Sequence, residues 1–368
     1  MGENKKDLTL NAQKEEIDRA ISELFQKRLR LSFKEKQSSM DNLTEPPSED
    51  LAGYSAVLLE TVRSLEEAAG NKYWHEPTEL AEQIAQASRK TAASFPHKAT
   101  VACQGVAGAY SQLAAEKLFG VPEITHYQNF EDVFAAVEKG ECRYGVLPIE
   151  NSTAGSVTKV YDLMRKYRFF IARAVKLKVE HNLLAPKGVK IEDIREVISH
   201  EQALQQCHDF LKSLGEIKIS ECANTALAAQ MVAQGGRRDM AALSSKICAK
   251  NYDLAILKEA VQDKENNFTR FICISKEMEI YPGADKMSIM LTLRHRPGEL
   301  YRVLAQFAAL NINLTKLESR PMANGDFEFM FYFDFAIGKP SAKIARVLTD
   351  LQEQNEYFSY LGTYSEII

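Results

Sequence analysis

Apolar positions change their period twice along this chain. Up to about Phe95 they recur every three or four residues. Ile17, Ile21, Leu24, Arg28 and Leu31 form one stripe. Tyr54, Leu58, Thr61 and Leu65 form a second, and Leu80, Ile84, Ala87 and Thr91 a third. That spacing predicts amphipathic helices. The run 44–50, with Pro46 and Pro47, separates the first two. Three helices without strands predict a small bundle, completed by itself or by a second copy.

From about His97 short β-like runs alternate with helical stretches. Strands are predicted at 100–103, 144–149, 196–198, 217–220, 240–243 and 271–274. Helices are predicted at 111–119, 130–139, 203–214, 225–233 and 246–250. This alternation predicts an open α/β sheet, whose ligands bind beyond the carboxyl ends of the strands. From about Asp285 the order becomes strand 286–293, helix 298–309, strands 313–320 and 327–335, helix 341–353 and strand 358–364. That is the ferredoxin-like βαββαβ unit. The fold class is thus α/β and α+β multidomain, with domains at 1–95, 97–276 and 285–368.

Composition narrows the function classes. Of 368 residues, 45% are hydrophobic and 26% charged, a globular balance. A net charge of -4 without a basic block gives no footprint for nucleic acid. No apolar run reaches the ~20 residues of a membrane helix. The six cysteines lack metal-knuckle spacing and are expected to be buried, reduced thiols. With no secretory leader pattern, the expected location is the cytoplasm.

The middle section repeats one device: a strand ends and a small or polar residue opens a helix. It occurs at 105–111, 150–156, 199–202, 224–225 and 244–245. Each start presents backbone N–H groups and the positive end of a helix dipole. Five in one domain point to a cleft for a polyanion. No nucleophile elbow, zinc helix, phosphate loop or dinucleotide fingerprint is present. Neither a cofactor nor a metal is expected. Ser199 and His200 are neighbours whose side chains would face opposite sides of a strand, so they do not read as a nucleophile and its base. Arg270, between Phe268 and Phe271, suits a bidentate carboxylate contact or a structural ion pair.

Gly105 to Ser111, the run 145–152, Ser199-His200 with Gln206, and Thr269-Arg270-Phe271 together resemble prephenate dehydratases. The resemblance implies a two-lobed catalytic domain like periplasmic binding proteins. It implies loss of carbon dioxide and the ring hydroxyl from prephenate, giving phenylpyruvate in phenylalanine biosynthesis. By resemblance, Thr269 donates to the leaving hydroxyl, with Glu150 as a proton source. Asn151, Ser199 and Gln206 complete the catalytic set, and Ser111, Thr225, Arg270 and Phe271 bind substrate. Arogenate is the alternative substrate, and a non-catalytic anion binder with an amino-acid sensor the alternative class.

Residues 298–301 and 318–321 resemble the ACT regulatory domain of the same enzymes. That implies feedback by L-phenylalanine through Gly298, Glu299, Leu300, Asn313, Leu314, Glu318, Ser319, Arg320 and Pro321, in a homodimer or homotetramer. Glu299 and Tyr301 depart from the usual motif. The first section resembles the helical chorismate mutase often fused ahead of this dehydratase. Arg28 and Ser88 match its site, but Asn11, Ser39 and Ala92 stand where it has an arginine, a lysine and a glutamine. The bundle is therefore expected to persist with its mutase chemistry mostly gone; an active mutase acting on chorismate and an unrelated bundle are the other readings.

Overall fold

A computed structural model describes residues 79–91, 94–321, 329–337 and 342–368. The first two helical stripes, and Arg28 with them, lie outside the described residues. The chain divides into two units, 1–72 and 73–368.

Helix α1 (Glu79–Lys90) buries Leu80 and Ala87. Leu80 joins the core of the C-terminal domain, with Ile84 packed against it. The stripe expected to be the third helix of an N-terminal bundle therefore covers the C-terminal domain, and Ser88 lies on its exposed side. Thr91 ties its end down by accepting from Ile280 N at 3.1 Å.

Lobe one contains β1 (Lys98–Gln104), α2 (Tyr110–Leu118), β2 (Val121–Tyr127), α3 (Phe130–Lys139), β3 (Tyr144–Asn151), β4 (Gly155–Ser156), α4 (Thr158–Lys166) and β5 (Phe170–Lys178). Lobe two follows: β6 (Asn182–Pro186), β7 (Glu196–Ser199), α5 (Glu201–Gln206), α6 (His208–Ser213), β8 (Lys218–Glu221), α7 (Thr225–Gln234), β9 (Met240–Ser244), α8 (Lys246–Asn251) and β10 (Leu254–Lys258). The chain then returns to lobe one as β11 (Phe268–Ser275), between β5 and β3. Lobe one is thus the sheet β5-β11-β3-β1-β2, extended beyond β5 by the last strand of the chain, Glu366–Ile367, and lobe two the sheet β10-β6-β9-β7-β8. Two crossings, at 179–181 and 259–267, join them. Backbone bonds from Val179 N to Asn267 O and from Val261 N to His181 O, each 2.8 Å, hold the crossings together.

The C-terminal domain follows the predicted order: β12 (Lys286–Leu293), α9 (Glu299–Ala309), β13 (Asn313–Pro321), β14 (Phe329–Ala336), α10 (Ala342–Gln354) and β15 (Phe358–Tyr364). Its sheet runs β13-β14-β12-β15, all antiparallel. The last strand, β16 (Glu366–Ile367), leaves that sheet and pairs with β5 of lobe one. Gly362 allows the close approach: its φ is 141°, and a Cβ there would lie 2.5 Å from Ile171 O.

The structure adds elements that the periodicity does not mark: strands β2, β4, β5, β6, β10 and β16 (Glu366–Ile367) and helix α4. Strand β2 alternates with mostly exposed positions, and β5 carries Arg173, Lys176 and Lys178. The helix expected over 203–214 is two short helices. Asp263 accepts from His208 N at 3.0 Å and from Asp209 N at 3.2 Å, so its carboxylate starts a second helix where the first ends. Five cysteines are buried and Cys222 is half-buried, all as free thiols. Burial pushes the thiols of Cys103 and Cys273 well above the ordinary range, which leaves them unreactive.

Candidate active site

A cavity of about 190 Å³ opens between the lobes. Lobe one contributes Tyr110 and Ser111 at the start of α2, and Pro148 and Asn151 from β3. It also contributes Thr269 and Phe271 from β11. Lobe two contributes His200, Gln202 and Gln206 around α5, and Asn224 and Thr225 at the start of α7. His181 stands on the crossing between them. Among the described lining residues there is no Asp, Glu, Lys or Arg.

A bulge shapes the lobe-one wall. Arg270 pairs with Glu150 but Phe271 pairs with Pro148, so Ile149 is the extra residue. The bulge lets Pro148 and Asn151, three apart, line one wall with Thr269 and Phe271.

Asn151 organises that wall. Its amide nitrogen donates to Thr269 Oγ1 at 2.9 Å, to Asn267 Oδ1 at 2.7 Å and to Phe268 O at 3.3 Å. Its carbonyl oxygen accepts from Thr153 N, Thr153 Oγ1 and Ala154 N at 2.7–3.0 Å. A buried amide used on both sides cannot rotate without breaking several bonds.

Gln206 ties lobe two to this wall. It donates to Thr153 Oγ1 at 2.6 Å and accepts from Asn267 Nδ2 at 2.9 Å. Its oxygen also lies 2.9 Å from His181 Nε2. Because that oxygen only accepts, the His181 proton sits on Nε2. Nδ1 is then a buried acceptor without a protein partner. Burial lowers the His181 pKa, keeping the ring neutral at neutral pH.

The predicted residues separate into two groups. Thr269, Asn151, Gln206, Thr225, Ser111 and Phe271 all line the cavity. Ser199, Glu150 and Arg270 do not. Ser199 is fully buried and donates to Leu243 O at 2.7 Å, so its hydroxyl belongs to the core of lobe two. Glu150 projects from the other face of β3 and pairs with Lys316 at 3.0 Å. Arg270 is paired with Asp334 and Glu366 and donates to Tyr364 OH at 2.9 Å. Of the two readings of Arg270, the structural ion pair is the one observed. His181, Asn267 and Tyr110 were not singled out from sequence, and His200 only as a neighbour of Ser199. A lone histidine or asparagine carries no periodic signal, and only the crossings bring His181 and Asn267 to this wall.

The residues assigned to an effector lie at the start of α9 and along β13. Gly298 opens α9 with φ 89°, and Glu299 pairs with Arg302 at 3.4 Å. Leu300 and Leu314 pack on the domain core. Asn313, Ser319 and Pro321 are exposed. Glu318 accepts from Ser156 Oγ at 2.6 Å and Arg320 pairs with Asp162 at 3.1 Å, so both reach lobe one.

Among the described residues no group of His, Cys, Asp and Glu is arranged to hold a metal ion, and no helix is long and apolar enough to cross a membrane.

Comparison with known proteins gives the family. The prephenate dehydratase family matches residues 101–279. Arogenate dehydratase/prephenate dehydratase 1, chloroplastic, of Arabidopsis thaliana is 41% identical over 284 residues, covering 73% of this chain and 72% of its own. Prephenate dehydratase of Methanocaldococcus jannaschii is 37% identical over 266 residues, covering 70% of this chain and 94% of its own. The structure of prephenate dehydratase from Arthrobacter aurescens in complex with L-Phe matches with a TM-score of 0.67 at 26% identity, covering 72% of this chain and 90% of that one. The chain belongs to the prephenate dehydratase family of carbon–oxygen lyases, whose relatives here include arogenate dehydratases.

Proposed function

We propose that the cleft converts prephenate to phenylpyruvate, with L-phenylalanine as effector at the C-terminal domain. The observation that carries this reading is the Asn151–Thr269 hydrogen bond in a cavity without charged side chains. The reaction breaks the bond to the ring carboxylate, which leaves as carbon dioxide. Its electron pair moves into the ring, and the ring hydroxyl leaves as water once protonated. Aromatisation supplies the driving force. The protein has to hold a dianion, deliver one proton and keep bulk water from the ring.

Neutral groups suit that task. Helix starts at Tyr110 and Thr225 direct backbone N–H groups and dipoles at anionic ends. Asn224 Oδ1 accepts from Leu227 N at 2.8 Å and holds the second of these starts in place. Thr269 Oγ1 delivers the proton, with its acceptor side already filled by Asn151 Nδ2, and regains one from solvent water before the next turnover. Phe271 gives the ring an apolar wall. A fixed carboxylate in this cleft would repel the substrate; Glu150, on the far face, does not act as the acid.

Arogenate differs from prephenate only in its side chain, where an amino group replaces the keto oxygen. His181 Nδ1, a bare acceptor, is suited to an ammonium group, which is the observation favouring arogenate as second substrate. The effector reading rests on Gly298 and the β13 residues, and on the relative solved with L-Phe. The open β13 edge, with Leu317 exposed, suits pairing with a second copy in a dimer or tetramer. A side-by-side assay tests the reading: prephenate and arogenate, each with and without phenylalanine. Turnover of at least one, altered by phenylalanine, is expected; inertness towards both would end it.

A further inference from the structure

Strands β3 and β11 have a second face. Successive side chains on a strand point to opposite sides. Thr269 pairs with Asn151 and Arg270 with Glu150 on one ladder. Asn151 and Thr269 line the cleft, whereas Glu150 and Arg270 reach the C-terminal sheet. Glu150 meets Lys316 Nζ at 3.0 Å. Lys316 also donates to Ser156 Oγ at 3.1 Å, and Ser156 donates to Glu318. Arg270 meets Asp334 of β14, Tyr364 of β15 and Glu366 of β16. Asp334 is itself held by Ser288 Oγ of β12. Strands β13, β14 and β15 of the C-terminal sheet thus touch one of two paired residues, each one step from a cleft residue, and β12 reaches Arg270 through Asp334.

We propose that Glu150 and Arg270 are positioning residues, clamped by Lys316 and Asp334, which hold Asn151 and Thr269 in reactive alignment and pass the state of the C-terminal domain to them. The proposal rests on Thr269 acting in the cleft as above. The two clamps differ physically. Arg270 and Asp334 are 7% and 1% exposed, so their pairing is part of the fold. Glu150 is 38% exposed and Lys316 13%, so their pairing adds little stability and acts mainly through geometry. Small displacements suffice: a misplacement of about 1 Å can cost about a hundredfold in rate.

The experiment uses the full chain and the variants Lys316→Met, Glu150→Gln and their double. It reads kcat, KM for prephenate, and the phenylalanine concentration giving half its effect. Each single variant is expected to lower kcat by about three- to thirtyfold and shift the phenylalanine response by a similar factor. KM should stay within about twofold, because the lost alignment matters in the transition state. The double variant should be no worse than Lys316→Met alone, since that substitution already breaks the contact that Glu150→Gln removes. A folded Lys316→Met chain with wild-type kcat and phenylalanine response would overturn the proposal. So would a large loss in Glu150→Gln alone, which would make Glu150 a chemical participant. An unmodified chain inert towards prephenate and arogenate would instead reject the functional reading, and this proposal with it.

Discussion

Thr269→Val removes one oxygen and keeps the shape. In the folded chain Thr269 Oγ1 receives a 2.9 Å hydrogen bond from Asn151 Nδ2. After the substitution that amide still donates to Asn267 Oδ1 at 2.7 Å and Phe268 O at 3.3 Å, so no buried donor is orphaned. The stability cost should therefore be about one hydrogen bond, ~1 kcal/mol. The catalytic cost should be far larger. Positioned proton transfer contributes about 10²–10⁴-fold, so kcat should fall by about 10³, or ~4 kcal/mol of barrier. Initial rates of phenylpyruvate formation over a range of prephenate concentrations, alongside thermal unfolding, measure both. Thr269→Ser restores the hydroxyl and should recover to within about tenfold of the parent. A Val variant with near-parent kcat would refute Thr269 as the donor. A Ser variant as inactive as Val would refute it too, by showing that the hydroxyl is not what was lost.

Three further outcomes follow from the structure. Arg270→Met leaves Asp334 and Glu366 buried without their main partner and should cost about 3–5 kcal/mol in denaturant unfolding; an unchanged midpoint would contradict the buried network. His181 is a base whose burial lowers its folded pKa below the unfolded 6.5, so its contribution is complete above about pH 6.5 and is lost as pH falls, when the unfolded state takes up the proton first. His181→Asn should thus flatten the acid side of the Tm-against-pH curve, and an unaltered curve would count against a buried neutral ring. Gly362→Ala places a methyl 2.5 Å from Ile171 O at φ 141° and should destabilise by more than about 2 kcal/mol, read as easier proteolysis of the C-terminal domain.

How much of this was legible from sequence depends on distance along the chain. The βαββαβ unit was readable because each strand and helix keeps its own period and its partners follow in order. The cleft residues Asn151, Gln206, Thr225 and Thr269 were reachable through the resemblance of their ordered motifs to prephenate dehydratases; strand ends and helix starts alone point to Asn151 and Thr225. Side-chain direction was not. Glu150 and Arg270 stand next to cleft residues in sequence, but alternation turns them to the far face, where a docked third sheet supplies Lys316 and Asp334 and the returning strand β16 supplies Glu366. Ser199 is the same case: its neighbour His200 lines the cleft, and its own hydroxyl is consumed by Leu243 O. The 79–90 stripe has helical periodicity, but periodicity does not name the surface it covers. His181 becomes informative only when the crossing brings it to Gln206.

The most direct test of the central claim is incubation of the intact chain with prephenate while phenylpyruvate and carbon dioxide are both followed. Catalysis in the cleft predicts equal amounts of the two, formed over many turnovers. Saturable binding of prephenate with neither product would contradict it, and would make the two-lobed cleft a receptor for the dianion instead of an active site.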